Sequence, residues 1–390
     1  MTNEFKPLQG IRVIEISHMV MGPACGMFLA FLGAEVIKVE PVLGDKTRKL
    51  QGMGLSMFPL FNRGKKSVQL DIFSEEGREV FCRLLDNSDV LIENFKDGAL
   101  AKMGLAPDDL KTRYPKLILC SHKGFLSGPY EHRTALDEVV QMMTGLAYMT
   151  GTKGNPLRVG SSVNDIMGGL FGALAVLGAL RERDKTGVGR EVRVGLFETC
   201  LLLVSQHMMH TDIAGVDPSP MPEREPSWPI YDIFETKDKK KIFVGVVTEI
   251  QWGRACELLG LSDFKEHDDL QSPEGRLAAR PWMVPQFGEV ISRWDSTALQ
   301  AEFEEIGIPF AIVGKPSDMF DDPHVMREGG LVRSELPNGK VCRAPALPFE
   351  VDGNMVPVSG KVPALGEDND MLLSALLSPE KADEIEGTGE

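Results

Sequence analysis

The 390-residue chain predicts an α/β fold, with a large domain on a parallel, doubly wound sheet and a smaller α+β domain after it. Three observations carry this. Short β-rich runs alternate with helical patterns, which is how parallel strands joined by helical crossovers read. A proline-rich break interrupts the alternation between Asp217 and Pro229, and a different mixture of elements follows it. The length exceeds a typical single compact core, so about two or three domains or subdomains are expected.

The elements follow in order. Ile11-Arg-Val-Ile-Glu-Ile16 is a strand. After Gly22-Pro23 a helix runs from about Ala24 to Leu32, where Gly33 ends it. Glu35-Val-Ile-Lys-Val-Glu40 is the next strand, making a βαβ unit with a right-handed crossover. Ser74-Glu-Glu-Gly opens a helix with a carboxylate-rich first turn, ending near Leu85. Residues 89–93 and 117–121 are strands, and a helix is expected over 138–148. An apolar helix runs from about Ile166 to Leu180, a strand spans 191–194, and a second apolar helix reaches about His210. The stretch 217–229 holds five prolines and reads as an extended linker. Beyond it come a strand at 241–247, helices near 251–259, 284–294 and 298–305, and a strand near 311–313. Short strands and loops continue to Val362, and the tail after Ser378 is acidic and expected to be loosely ordered.

Composition narrows the function. A formal net charge of −15 argues against a nucleic-acid binder. It leaves room for a small anionic substrate, because local lysines can still line a pocket. The six cysteines are widely spaced and lie mostly in apolar runs, so they read as reduced, buried thiols of a cytoplasmic protein with no metal site. No apolar leader precedes the first strand, and the apolar stretch around Leu170–Leu180 reads as too short and glycine-rich for a membrane span. The first βα turn, Ser17-His-Met-Val-Met-Gly-Pro-Ala, lacks the glycine fingerprint of a dinucleotide site. Neither a nicotinamide nor a flavin cofactor is therefore expected, although Glu40 stands where a ribose-binding acid would.

The segment Gly160-Ser-Ser-Val-Asn-Asp165-Ile-Met-Gly-Gly169 is the most informative. It places the Asp165 carboxylate at the mouth of the first apolar helix. Helix N-termini favour negative charge, and the glycines would give a ligand room to approach. Asp165 reads as a nucleophile or base, or as a plain N-cap, a role Asn164 would share. Asp137 reads as a second acid of the site or as the N-cap of the 138–148 helix. His18 sits in the first βα loop. His207 and His210 lie on the second apolar helix beside Met208 and Met209, where packing outweighs metal binding. Met142, Met143, Met149 and Met167 read as core filler or as an adaptable acyl pocket.

Taken together, the landmarks resemble the class III CoA-transferases, the family of formyl-CoA transferase and carnitine CoA-transferase. The matching segments include Pro7-Leu-Gln-Gly-Ile-Arg-Val, Phe31-Leu-Gly-Ala-Glu-Val-Ile-Lys-Val-Glu-Pro41, and Gly44-Asp45 with Thr47-Arg48. They continue with Phe61-Asn-Arg-Gly-Lys-Lys-Ser-Val-Gln-Leu-Asp71, Glu93-Asn-Phe, Met103-Gly-Leu, Lys123-Gly-Phe, Asp137 with Gln141, Asp165 with its helix, Lys185-Thr-Gly-Val-Gly-Arg190 and Gly307-Ile-Pro309. The resemblance implies a Rossmann-like large domain built from both chain ends, a smaller α+β domain on two linkers, and an interlocked homodimer. On this chain that means 1–210 for the first part of the CoA-binding domain and 211–229 for the linker. The small domain takes 230–320, and 321–390 is the return linker with the C-terminal part of the large domain.

The resemblance also implies an activity. CoA passes from an acyl-CoA to a small carboxylic acid through an aspartyl-CoA thioester on Asp165, with Asp137 as a supporting acid. The CoA-binding positions map to Lys96, Lys102, Met103, Leu70, Asp71 and His18, while an adenine-stacking basic position falls on Pro41. No metal, nicotinamide or flavin takes part, and neither nucleic acid nor membrane is a partner. Two other readings share the fold. An α-methylacyl-CoA racemase has a histidine before the acid matching Asp137, but that slot is Leu136 here. A further racemase acid falls loosely on Glu249. A non-catalytic CoA-binding protein would keep Lys96 and Lys102 yet exchange nothing. The glycine-rich loop of formyl-CoA transferase is not evident at Thr248-Glu-Ile-Gln-Trp252, which argues against oxalate.

Overall fold

The computed structural model describes residues 5–377, so the tail after Ser378 lies outside them. Contacts divide the chain into two units, one running to Pro222 and resuming at Pro323, the other spanning Glu223–Asp322.

The first unit is organised by strands β1 (Arg12–Glu15), β2 (Glu35–Glu40), β3 (Lys66–Gln69), β4 (Val90–Glu93), β5 (Ile118–Lys123) and β6 (Glu191–Gly195). They pair in the order β3-β2-β1-β4-β5-β6, all parallel. This is the order of doubly wound dinucleotide-binding sheets, and the winding reverses between β1 and β4. Val13 pairs with both Val36 and Val90 at that reversal. Val13, Ile14, Val90, Leu91 and Ile92 are completely buried, because helices cover both faces of a parallel sheet. The helices are α1 (Met21–Phe31), α2 (Glu75–Asp86), α3 (Asp137–Thr144), α4 (Val163–Thr186) and α5 (Leu196–Ala214).

Several boundaries differ from the sequence reading for identifiable reasons. Strand β3 went unrecognised because Lys66-Ser-Val-Gln has little apolar alternation. Helix α1 begins three residues early, since Pro23 lies in the first turn, where no N–H is needed. The 138–148 helix breaks at Gly145, whose φ of 87° closes α3. Helix α5 runs to Ala214, into the stretch read as linker, and Gly215 caps it.

Helix α4 is 24 residues long, ends at left-handed Gly187, and is long and apolar enough by composition to cross a membrane. Its glycines assign it to the core. A Cβ on Gly168 would collide with the Met21 side chain, and one on Gly169 would lie 2.6 Å from the Ala24 Cβ. These glycines let α4 seat closely on α1. They do not open space for a ligand, which corrects the sequence reading.

The returning C-terminal segment covers the sheet edge. Asp368 Oδ2 accepts from Ser67 N at 2.8 Å and Asn369 Oδ1 from Gln69 N at 2.8 Å, at the start of helix α9 (Asn369–Leu377), numbered after the helices of the second unit. A free edge of the parallel sheet is thereby satisfied.

The second unit holds the antiparallel strands β7 (Ile230–Glu235), β8 (Lys241–Val246) and β9 (Phe310–Ile312), in that order. Its helices are α6 (Glu249–Leu258), α7 (Pro273–Ile291) and α8 (Ser296–Ile306). Thr248 and Gln251 form a reciprocal capping box, so the segment where a glycine-rich loop was sought is a helix start. Helix α7 runs through Pro281 and Pro285, well before the expected start at 284. Met283, Phe287 and Ile291 are fully buried along it, and that packing outweighs the lost backbone bonds. Glu249 is ion-paired with buried Arg276.

Candidate active site

Asp165 is not the cap of its helix. Ser162 holds the N-cap position without a side-chain bond, and Asp165 lies in the first turn. The side chain of Asn164 is buried and caps nothing. The capping oxygen comes from another helix. Asp137 Oδ2 accepts from Asn164 N at 3.1 Å and from Asp165 N at 3.3 Å. Asp137 itself stands in the first turn of α3, behind Leu136. Neither sequence reading of Asp137 anticipated this, because the bond spans two helices remote in the chain.

The rest of the mouth is tied to the same acid. Gln141, one turn along α3, donates its amide to Asp137 Oδ1, and its Oε1 accepts from Val159 N at 2.9 Å. Arg158 pairs with Glu138 and donates to Val159 O at 3.0 Å and Ser161 O at 3.3 Å. The 158–161 loop is thus pinned against α3 immediately before Asp165. The resemblance paired Gln141 with Asp137, and their spacing of four on one helix accounts for the contact. Arg158, in an irregular loop, left no such signal.

Electrostatics separate the two acids. Burial, then the like charges of Asp137 and Glu138, push the Asp165 carboxyl up to about 7, against an opposing pull from Arg158. Asp137 takes the helix N–H groups that would otherwise stabilise Asp165 as an anion. Asp165 is therefore a basic carboxylate, partly ionised near neutrality. A more basic carboxylate is a stronger nucleophile and a readier general base.

The mouth of α4 lies beside the sheet reversal, because Gly168 packs on Met21 at the start of α1. There the loops after β1 and β4 are clasped together. His18 N donates to Asn94 Oδ1 at 3.0 Å, and Asn94 Nδ2 donates to His18 O at 2.7 Å. Met19 next to it adopts φ of 65°, a conformation that costs a non-glycine residue energy. His18 is exposed, and burial of part of its ring lowers its pKa. In open α/β sheets ligands bind at such a reversal, outside the carboxyl ends of the strands.

The remaining predicted positions distribute along that edge. Lys96 and Lys102 are exposed after β4. Leu70 and Asp71 follow β3, with Leu70 half-buried against the core and Asp71 exposed. Met103 is 2% exposed and packs in the core under this edge, so its side chain is structural. Leu136 is exposed and offers no proton donor beside Asp137, as the racemase reading would need. On α5 of the single chain, Met208, Met209 and His210 are exposed. Of the four methionines flanking the site, Met149 is buried and Met142 exposed, with Met143 and Met167 between.

Known proteins carry the same pattern. The profile of CoA-transferase family III matches residues 8–369. The chain belongs to the family III CoA-transferases. It is 30% identical over 394 residues to a succinate–glutarate CoA-transferase of Agrobacterium fabrum, covering 98% of each chain. A succinyl-CoA:mesaconate CoA-transferase of Haloarcula hispanica is 28% identical, covering 94% of this chain and 95% of that one. The crystal structure of a CaiB/BaiF family protein from Brucella suis superposes with a TM-score of 0.86 at 30% identity, covering 96% of this chain and 100% of that one. The protein is a CoA-transferase, and its substrates are a CoA thioester and a carboxylic acid.

Proposed function

We propose that this CoA-transferase moves CoA between dicarboxylic acids through an aspartyl-CoA thioester on Asp165. The observation that carries the reading is Asp165 itself, a carboxylate of raised basicity at a helix mouth beside the sheet reversal. An Asp165 oxygen attacks the thioester carbonyl and the CoA thiolate leaves, forming a mixed anhydride. The thiolate then attacks the aspartyl carbonyl, releasing the donor acid and leaving aspartyl-CoA. The acceptor carboxylate repeats the sequence in reverse and restores Asp165. Water must be kept from both acyl intermediates. Asp137 positions the nucleophile helix. Lys96 and Lys102 serve the CoA phosphates as point charges.

Two features support a dicarboxylic substrate. The relatives named above are named for succinate, glutarate and mesaconate. Arg158, held by two backbone carbonyls beside Asp165, is placed to share its charge between Glu138 and the distal carboxylate of such an acid.

The large unit is the CoA-binding domain, and two chains interlock as a homodimer. Exposed apolar residues on α4 and α5, namely Leu170, Leu174, Leu202, Met208, Met209 and Ile213, support a covered face in the assembly. Six free cysteines support a reducing, cytoplasmic setting. The deciding experiment incubates the protein with labelled succinyl-CoA and a panel of mono- and dicarboxylic acids, with borohydride trapping and peptide mass analysis. Label exchange into dicarboxylates and reduction at Asp165 are expected. Exchange without modification of Asp165, or release of free acid only, would sink the covalent route.

A further inference from the structure

The sequence reading expected no metal ligands, yet one spacing was passed over. Cys120-Ser-His122 are alternate residues of β5, so both side chains face the same side of the sheet. Cys25 of α1 meets them there. The two sulfurs and an imidazole nitrogen lie within 4.8 Å of one another. Cys25 and Cys120 are fully buried and His122 is 3% exposed. Among the described residues, neither ring nitrogen of His122 makes a well-aligned hydrogen bond, and the Glu93 backbone is the one hydrogen-bonding group that acts on the ring. A buried imidazole left so costs free energy that a ligand would offset. Gly172 of α4 closes over the trio. A Cβ there would clash with His122 Nε2 and lie 3.0 Å from Cys25 Sγ, so only a bare Cα lets the helix seal the cluster.

We propose that Cys25, Cys120 and His122 form a structural site for a thiophilic d10 cation, zinc(II) or copper(I), that pins α1 to β5 beneath the helix carrying Asp165. Two thiolates and one imidazole make a three-coordinate set for copper(I) and give zinc three of the four ligands of its structural sites. Binding displaces one proton from each thiol, so zinc would form a neutral buried unit. Copper(I) would leave one negative charge, and the nearby Lys65 ammonium is already paired with buried Glu15 at 2.6 Å. The ion takes no part in CoA transfer, which needs only the Asp165 mouth.

The test starts with the full-length protein purified without chelator or affinity-bound metal and analysed by inductively coupled plasma mass spectrometry. About one zinc or copper per chain is expected, with the element distinguishing the two ions. His122→Val, which suits a buried strand, should retain fold and CoA transfer but lose the metal and melt earlier. Cys256→Ser, in the other unit, should keep it. As a second readout, protein refolded with cadmium(II) should show a sulfur-to-cadmium charge-transfer band that His122→Val weakens and Cys120→Ser abolishes. Metal-free wild-type protein with no cadmium band would overturn the site. So would a His122→Val protein that carries as much metal as wild type. Either result would leave a packed thiol–imidazole cluster.

Discussion

Two acid clusters in the same unit are treated in opposite ways. Beneath β1–β3, every buried acid has a base. Glu15 lies 2.6 Å from Lys65 and 3.2 Å from Lys38, and Asp45 lies 3.1 Å from Lys38. Glu40 takes the Arg48 fork at 2.6 and 2.7 Å and also accepts from Ser67. Although burial opposes it, these partners hold Glu40 and Asp45 below the usual carboxylate range. At the α4 mouth, burial acts unopposed by a close base and acids face acids, so Asp165 is pushed up to about 7. Matched charge there builds a scaffold, while mismatched charge here builds a reactive group. The scaffold also serves the site, because Lys38 and Lys65 bond Ser17 O at 2.7 Å and Pro23 O at 2.9 Å, on either side of the loop bearing His18.

The sharpest way to break the comparison is at Asp165. Asp165→Asn should lower transfer by more than about a hundredfold, since losing a covalent pathway costs several kcal/mol. CoA binding by calorimetry should survive. Near-normal turnover in this variant would move the nucleophile elsewhere.

In the matched cluster the same kind of change should hurt stability instead. Arg48→Met leaves Glu40 buried without its counter-ion and should cost on the order of 3–5 kcal/mol in urea unfolding. A loss below about 1 kcal/mol would mean that Ser67 and the Asp45 amide suffice for Glu40.

The pH dependence sharpens the contrast further. Transfer by the free enzyme should rise with pH through about 7 and then level, as Asp165 ionises. Because its folded pKa lies above the unfolded value near 4, the native state binds the extra proton. Stability from this group is therefore full below about pH 4 and is lost as pH rises to about 7. Asp165→Asn should accordingly gain relative stability above pH 7. Asp137→Asn keeps a capping oxygen but removes one like charge, so the kinetic inflection should move down. An inflection that stays in place would mean that burial and Glu138, without Asp137, raise the Asp165 pKa.

Smaller effects are expected where charge is exposed. Arg158→Gln should raise the Michaelis constant for dicarboxylic acceptors about tenfold, roughly 1.4 kcal/mol, and leave monocarboxylic acceptors unchanged. Equal losses with both acids would make Arg158 a loop support only. Lys96→Ala and Lys102→Ala should each weaken acyl-CoA binding a few-fold, more so with added salt. Constants unchanged at low and high salt would return these lysines to the solvated surface.

What could be read from the sequence was local and periodic. The β-rich runs of β1, β2, β4, β5 and β6, alternating with helical patterns, announced a parallel sheet, because parallel strands need helical crossovers. The charge-poor stretch after Asp165 announced a buried helix, and the ordered motifs carried the family. The sequence thereby determined the fold class and the candidate nucleophile. Tertiary structure decided the rest, because it depends on contacts between residues far apart in the chain. Asp137 caps a helix that begins 26 residues later, and its charge thereby adds to the burial that makes Asp165 basic. Gly168, Gly169 and Gly172 gained their meaning only when α1 and β5 came to lie against them. Cys25 met Cys120 and His122 only when a crossover helix folded back on its sheet. Spacing along one element can be read from the chain, but a pKa or a ligand set assembled from several elements depends on distances that folding alone creates.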